Sequence, residues 1–307
     1  MKVAAVWILL CLIWGTTWIF IKLGLDEGLP PISFAAARFI VAVLILGVVV
    51  FSAGFGLPKT RREWIIILIA GLCQFSINYG LLFWGEQHIS SGLAAVLQAT
   101  IPAFGLTLAP FMVKDERFTL FKFAAVLVGI GGVAVVFAEQ LQISGRLAFF
   151  GSIAVVIGAF TAALASLMVK MLGGKVHPVT ITFGQMLFGI VPLAIVGFTL
   201  EGNPLNFNWT GTAIFSTIYL AVFGSVLAFW MFYWLIDNIE ISKAMLISLV
   251  TPLIAIVIGA IFLNEELPRY TIAGGALILF SVGLVLFKPK AKVADKDDLD
   301  VEIGLNA

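Results

Sequence analysis

Residues 84–102 read WGEQHISSGLAAVLQATIP, and residues 234–252 read WLIDNIEISKAMLISLVTP. Laid over one another at a shift of 150, Trp84 meets Trp234, Ile89 meets Ile239, Ala94 meets Ala244 and Pro102 meets Pro252. The register continues without a gap to Phe137. Glu116 falls on Glu266, and Leu127, Val135 and Phe137 fall on Leu277, Val285 and Phe287. Apolar sequence matches Leu with Val or Leu by chance, but it rarely aligns a Trp, a Pro and a loop Glu together. Upstream, a shift of 147 sets Pro31 against Pro178 and Arg38 against Gln185. The chain is therefore read as two related halves, residues 1–140 and 145–288, with a polar tail over 289–307 that is expected to be disordered.

Working outward from that repeat, each half divides into apolar stretches of spanning length. A helix rises 1.5 Å per residue, so a hydrocarbon core of about 30 Å takes roughly 20 residues to cross. The stretches are Val3–Lys22, Ile32–Ala53, Glu63–Trp84, Ser90–Val113 and Phe121–Ala138 in the first half. In the second they are Leu147–Met171, Pro178–Leu200, Gly211–Ile236, Ser242–Leu263 and Tyr270–Phe287. Turn residues punctuate the joints, as in Gly28-Leu29-Pro30-Pro31 and Gly202-Asn203-Pro204. Segments such as Ala124–Phe137 are apolar on every side, which excludes the alternation of a β-barrel strand. The first stretch is followed by no small-residue cleavage site and is expected to be a helix rather than a signal peptide.

Composition agrees. Of the residues 61% are hydrophobic and 11% charged, and the mean hydropathy is +1.12. A soluble domain has about a quarter of its residues charged. The fold class expected is an all-α integral membrane protein with ten transmembrane helices arranged as a 5+5 inverted repeat. It is inverted because five is odd, so the second half enters from the opposite face. With the N-terminus in the cytoplasm, fourteen Lys and Arg fall on the cytoplasmic side and only Lys22, Arg146 and Arg269 outside. By the positive-inside rule both termini are cytoplasmic, in an inner (plasma) membrane. Inverted repeats belong to secondary transporters, in which two bundles rock about a site near the midplane.

The sequence resembles the EamA-type transporters of the drug/metabolite transporter superfamily from Ala4 to Phe287. The resemblance is carried by Ile13-Trp14-Gly15-Thr16-Thr17 with Lys22, by Pro31 with Phe34 and Arg38-Phe39, and by Ala94…Pro102 and Ala244…Pro252, each leading to an acidic loop. It implies ten helices, cytoplasmic termini and the export or exchange of small metabolites, often amino acids or drugs, with no particular solute fixed.

Polar side chains are costly in hydrocarbon and are expected to face a cavity or a partner. In span one, Trp14 and Trp18 lie four apart on one face. Trp14 and Thr17 either line a cavity or pack helix on helix. In span three, Gln74 and Asn78 are also four apart and are expected to share a face, with Tyr79 beside them. Gln98 stands one turn before Pro102, and Ser248 repeats its place before Pro252. The two prolines are matched candidates for a hinge or gate, or simple kinks. Gln185 completes the expected substrate cavity, together with Trp230 if that ring faces the cavity rather than the lipid interface. Arg38 is a possible anion contact, with snorkelling outward or a contact between repeats as the other readings. Glu86 stands at a span end.

No catalytic constellation, phosphate-binding loop or basic nucleic-acid face is present in the sequence. Cys11 and Cys73 sit in apolar runs and form no expected metal pair, and His88 and His177 fall on opposite sides of the membrane. The expected partners are a small-molecule solute and the bilayer, with no nucleic acid, no metal and no cofactor. The sequence sets no oligomeric state. The function expected is an exporter or exchanger of small organic solutes by alternating access. A passive facilitator or channel is the alternative, and an intramembrane enzyme a remote one.

Overall fold

A computed structural model describes residues 3–112, 124, 127–135, 145–172, 175–238, 247–264 and 269–286. Part of the fifth expected span, the start of the ninth, the acidic loops around Glu116 and Glu266, and the tail over 289–307 lie outside the described residues. Among the described residues every regular element is helical.

The helices are α1 (Val3–Asp26), α2 (Pro31–Ser52), α3 (Arg61–Gly71), α4 (Tyr79–Glu86), α5 (Ser91–Gln98), α6 (Ile101–Met112), α7 (127–135), α8 (Gly145–Lys170), α9 (Pro178–Leu200), α10 (Gly211–Ala221), α11 (Ala228–Asn238), α12 (Ile247–Phe262) and α13 (Arg269–Leu286). Among the described residues seven helical stretches are long and apolar enough to cross a membrane, and a shorter apolar helix covers Val250–Phe262. The chain is thus a multi-pass helical membrane protein.

The starts of the helices follow local chemistry. Thr60 and Glu63 form a reciprocal capping box at α3. Ser90, His177 and Thr210 accept from the first turns of α5, α9 and α10. Pro31 and Pro178 each fill the first position of a helix, where a missing N–H costs nothing.

Two helices carry a wider turn that periodicity did not predict. Leu72–Asn78 joins α3 to α4 as π-helix, and Val222–Leu227 joins α10 to α11 in the same way. Their starts are 150 residues apart, the same shift that aligns Trp84 with Trp234. A π turn shifts carbonyls out of the i→i−4 pattern and frees backbone groups for other partners.

Packing exchanges helices between the two ends of the chain. α1 lies against α10, α11 and α12, while α8 lies against α3 to α6. α2 packs along α9. Small residues allow the close approaches, as expected where lipid supplies no hydrophobic drive between helices. A Cβ added at Gly85 would come 2.7 Å from the Gly151 carbonyl oxygen, and one at Gly158 would come 2.9 Å from Asn78 Oδ1. α3 and α9 touch backbone to backbone at Gly71 and Gln185.

The fourth expected span departs from a continuous helix. α5 ends at Gln98, a turn covers Ala99 and Thr100, and α6 begins at Ile101. Pro102 is the second residue of α6, a position proline tolerates. Pro252 instead stands inside α12. The matched prolines therefore break the chain at one site and run through a helix at the other.

Candidate functional site

The site is built on Arg38. α2 carries it about two turns from Pro31, and its side chain is 1% exposed, so it does not snorkel to a membrane surface. Its Nε donates to Ser225 Oγ at 2.9 Å and its Nη2 to the Gly224 carbonyl at 3.1 Å. Both acceptors belong to the second π segment. Ser225 Oγ in turn donates to the Leu220 carbonyl at 2.9 Å, five residues back, which is the π spacing. A Cβ at Gly224 would fall 2.8 Å from Thr17 Cγ2 and 3.2 Å from Arg38 Nη2. The absence of a side chain there lets α1, α2 and the π turn meet. Arg38 Nη1 is buried and has no hydrogen-bond partner.

Aromatic rings surround the guanidinium. Its carbon lies 5.0 Å from the Phe39 ring centroid and 4.9 Å from that of Tyr79, within cation–π range. Phe39 meets Tyr79 at 4.9 Å and Phe75 at 5.1 Å. The series continues through Phe229 at 5.5 Å from Phe75 to Trp14, whose ring is 5.8 Å from Phe229 and 5.2 Å from Phe232. Rings from α1, α2, the first π segment, α4 and α11 thus form one continuous wall.

The buried amides form a second group. Gln98 Nε2 donates to Asn78 Oδ1 at 3.0 Å and to the Val155 carbonyl at 3.3 Å. This ties α5 to the first π segment and both to α8. Gln74 does not join: it is half-buried, whereas Asn78 is 2% exposed. The face expected for the pair assumed 3.6 residues per turn, and both residues lie in the π segment. Asn78→Ala leaves Gln98 with the Val155 carbonyl alone. In a double-mutant cycle of thermal melts with Gln98→Ala, the pair is expected to couple by about 1 kcal/mol. Additivity would show that the bond contributes nothing.

Lys22 and Glu86 mark a third group. Lys22 Nζ donates to the carbonyls of Glu86 (3.1 Å) and Ile89 (3.3 Å), closing the end of α4. Glu86 is at a helix end, as the sequence indicates, yet it is fully buried and acts on Arg38 electrostatically. Just beyond, burial and then the Lys22 ammonium hold the His88 imidazole below its ordinary value, so it is neutral at pH 7.

The other expected residues are placed as follows. Thr17 is buried, but its hydroxyl donates to the Trp14 carbonyl at 2.7 Å and only its methyl group faces Gly224. Gln185 is buried with its backbone against Gly71. Trp230 is 47% exposed between buried Phe229 and Met231, on a different face of α11 from the aromatic wall. Of the two positions expected for Trp230, this is the exposed one and not the cavity. The side chain of Ser248 lies outside the described residues. Phe75, Phe229, Gly224 and Ser225 are functional candidates that the sequence reading passed over. The Gly-Ser pair inside an apolar span was the available signal.

The buried cation, the aromatic wall and the buried amides lie where helices from the two ends of the chain pack together. The sequence model of the EamA-like transporter family matches residues 1–138 and again residues 149–287, and the chain belongs to that family. It is 29% identical over 297 residues to the uncharacterized transporter YvbV of Bacillus subtilis (strain 168), covering 97% of this chain and 93% of the relative. It is likewise 29% identical over 297 residues to the uncharacterized inner membrane transporter YedA of Escherichia coli (strain K12), covering 93% and 92%. A crystal structure of a protein 15% identical superposes with a TM-score of 0.65 over 92% of this chain and 96% of the other. At that identity the likeness concerns the fold.

Proposed function

We propose that this protein is a secondary transporter of the inner membrane that exports or exchanges small organic solutes by alternating access. Its ten helices form two inverted halves, residues 1–140 and 145–288, with both termini in the cytoplasm. The solutes are metabolites such as hydrophobic amino acids, or amphiphilic drugs. They bind in a central cavity among Trp14, Tyr79, Asn78, Gln98 and Gln185, with Pro102 and Pro252 at the ends that bend.

The observation that carries this reading is the reciprocity of the π segments. In the first, Ser76 Oγ donates to the Gly189 carbonyl of α9 at 2.6 Å. In the second, the Gly224 carbonyl and Ser225 Oγ accept from Arg38 of α2. α2 and α9 are partners in the repeat, so each half reaches into the other with the same pair of elements. The double match of the family model and the exchange of α1 and α8 support the same arrangement. Halves related by a pseudo-two-fold axis are the architecture in which one bundle rocks against the other.

The test is counterflow in proteoliposomes. Vesicles loaded with unlabelled leucine, phenylalanine or another member of a metabolite panel are expected to accumulate the labelled solute transiently and saturably. Asn78→Ala and Gln98→Ala are each expected to lower the flux about tenfold, the effect of losing one buried polar contact. Unchanged flux in both would remove the amides from the site. Flux that never saturates or exchanges would replace the transporter with a passive facilitator, and an imposed pH gradient reads coupling directly.

A further inference from the structure

We infer that Arg38 Nη1 is the anchor for a solute carboxylate, so that the site selects amphiphilic monocarboxylates over neutral and phosphorylated molecules of the same shape. The inference rests on the transporter reading for its consequence, transport, but its evidence is the geometry of one side chain.

Arginine carries five N–H donors in a rigid fork. The protein engages Nε and Nη2, and does so with two neutral acceptors, a hydroxyl and a carbonyl. Those bonds fix the plane and the direction of the guanidinium. They leave Nη1 without an acceptor in hydrogen-bond range in a side chain 1% exposed, with Tyr79 acting on the same guanidinium. A buried charged donor without an acceptor is costly, and a bound anion removes that cost. The outward end of the fork, Nη1 together with Nη2, presents two parallel donors to a planar carboxylate.

The surroundings decide the class of anion. Glu86, at the end of α4, acts electrostatically on the same guanidinium, so the fork offers no more than one positive charge. A monocarboxylate neutralises it, whereas a phosphate dianion leaves an uncompensated negative charge in a low-dielectric interior. The rings of Phe39 and Tyr79 flank the fork, with Phe75 packed on both, and offer an apolar wall to the rest of the solute, which selects an amphiphile over a small inorganic anion.

The experiment compares phenylacetate with phenylacetamide and phenyl phosphate on the purified full-length protein, by thermal melting and by equilibrium binding. Phenylacetate is expected to raise the melting temperature and to bind at least about tenfold more tightly than the amide, the worth of a charged hydrogen bond. Arg38→Gln is expected to level the acid and the amide. Should that variant not fold, Ser225→Ala frees the guanidinium at one point and is expected to weaken the acid selectively. Equal binding of acid and amide by the wild-type protein overturns the inference, as does phenyl phosphate binding as tightly as phenylacetate. A clear acid preference with no counterflow of any solute leaves the carboxylate site standing and overturns the transporter reading instead. Counterflow of neutral solutes without acid preference does the reverse.

Discussion

Gly71→Ala is expected to destabilise the protein by about 3 kcal/mol, the upper range of overpacking, and to lower its melting temperature in detergent by roughly 5–10 °C. The sign is the informative part. In an exposed helix interior, replacing Gly by Ala stabilises by nearly 1 kcal/mol, because alanine is the better helix former. Gly71 closes α3 where it meets α9. A Cβ there would lie 2.8 Å from Gln185 Cα and closer still to its carbonyl oxygen. These are backbone atoms, so no rotamer change relieves the clash. On the other side, a Cβ at Gly189 would come 2.8 Å from the Gly71 carbonyl, so α9 is held against α3 at two points. One methyl group must push two spans apart over their length. Gly211→Ala is the control, since a Cβ at that helix start meets nothing within 4 Å, and its melt is expected to be unchanged or slightly raised. If the two variants behave alike, the close approach of α3 and α9 is not what holds this interface.

That contact was only half legible in the sequence. Spans could be read from apolar runs, because bilayer thickness fixes their length, and seven of crossing length are found among the described residues. The pairing of Trp84 with Trp234 and Pro102 with Pro252 gives the shift of 150 that also separates the starts of the two π segments. Which face of a span turns inward could not be read in the same way. Lipid and protein interior are equally apolar, so hydropathy does not separate Trp230, which is exposed, from its buried neighbour Phe229. The grouping of Gln74 with Asn78 failed for a different reason. It assumed a regular turn, and the π segment gives the two residues different surroundings. Arg38 stood out as a costly residue, but its partners Gly224 and Ser225 are 186 and 187 positions away, and nothing local announces such a pair. Lys22 and Glu86 show the same limit: the sequence places both at helix ends, and only the fold brings Lys22 to the Glu86 carbonyl.

Glu201→Ala is expected to open one end of the interface between α2 and α9 while leaving the other closed. α2 begins with two prolines. Pro30 offers no capping side chain, and Pro31 has no N–H. The orphan donors of the first turn therefore include Ile32 and Ser33, and Glu201 takes both: Oε1 accepts from Ile32 N at 2.9 Å and Oε2 from Ser33 N at 2.7 Å. A carboxylate at a helix N-terminus is also favoured by the backbone dipoles. Losing such a cap costs about 1–2 kcal/mol, which moves a two-state equilibrium by roughly five- to thirtyfold. At the opposite end of the same helix pair, the ring of Phe55 stacks on His177 at 4.0 Å and 10°. Spin labels at Gly28 and Leu205 read the Glu201 end by pulsed distance measurement, and labels at Leu57 and Lys175 read the Phe55 end. Glu201→Ala is expected to lengthen and broaden the first distribution and leave the second alone. Phe55→Ala is expected to do the opposite, and Glu201→Gln, which keeps an acceptor and loses the charge, to fall between wild type and Glu201→Ala. Should both distributions stay fixed in Glu201→Ala, α2 and α9 are held by their apolar faces and the carboxylate is no latch. Should both widen together, the helix pair is a single rigid contact that melts as a unit.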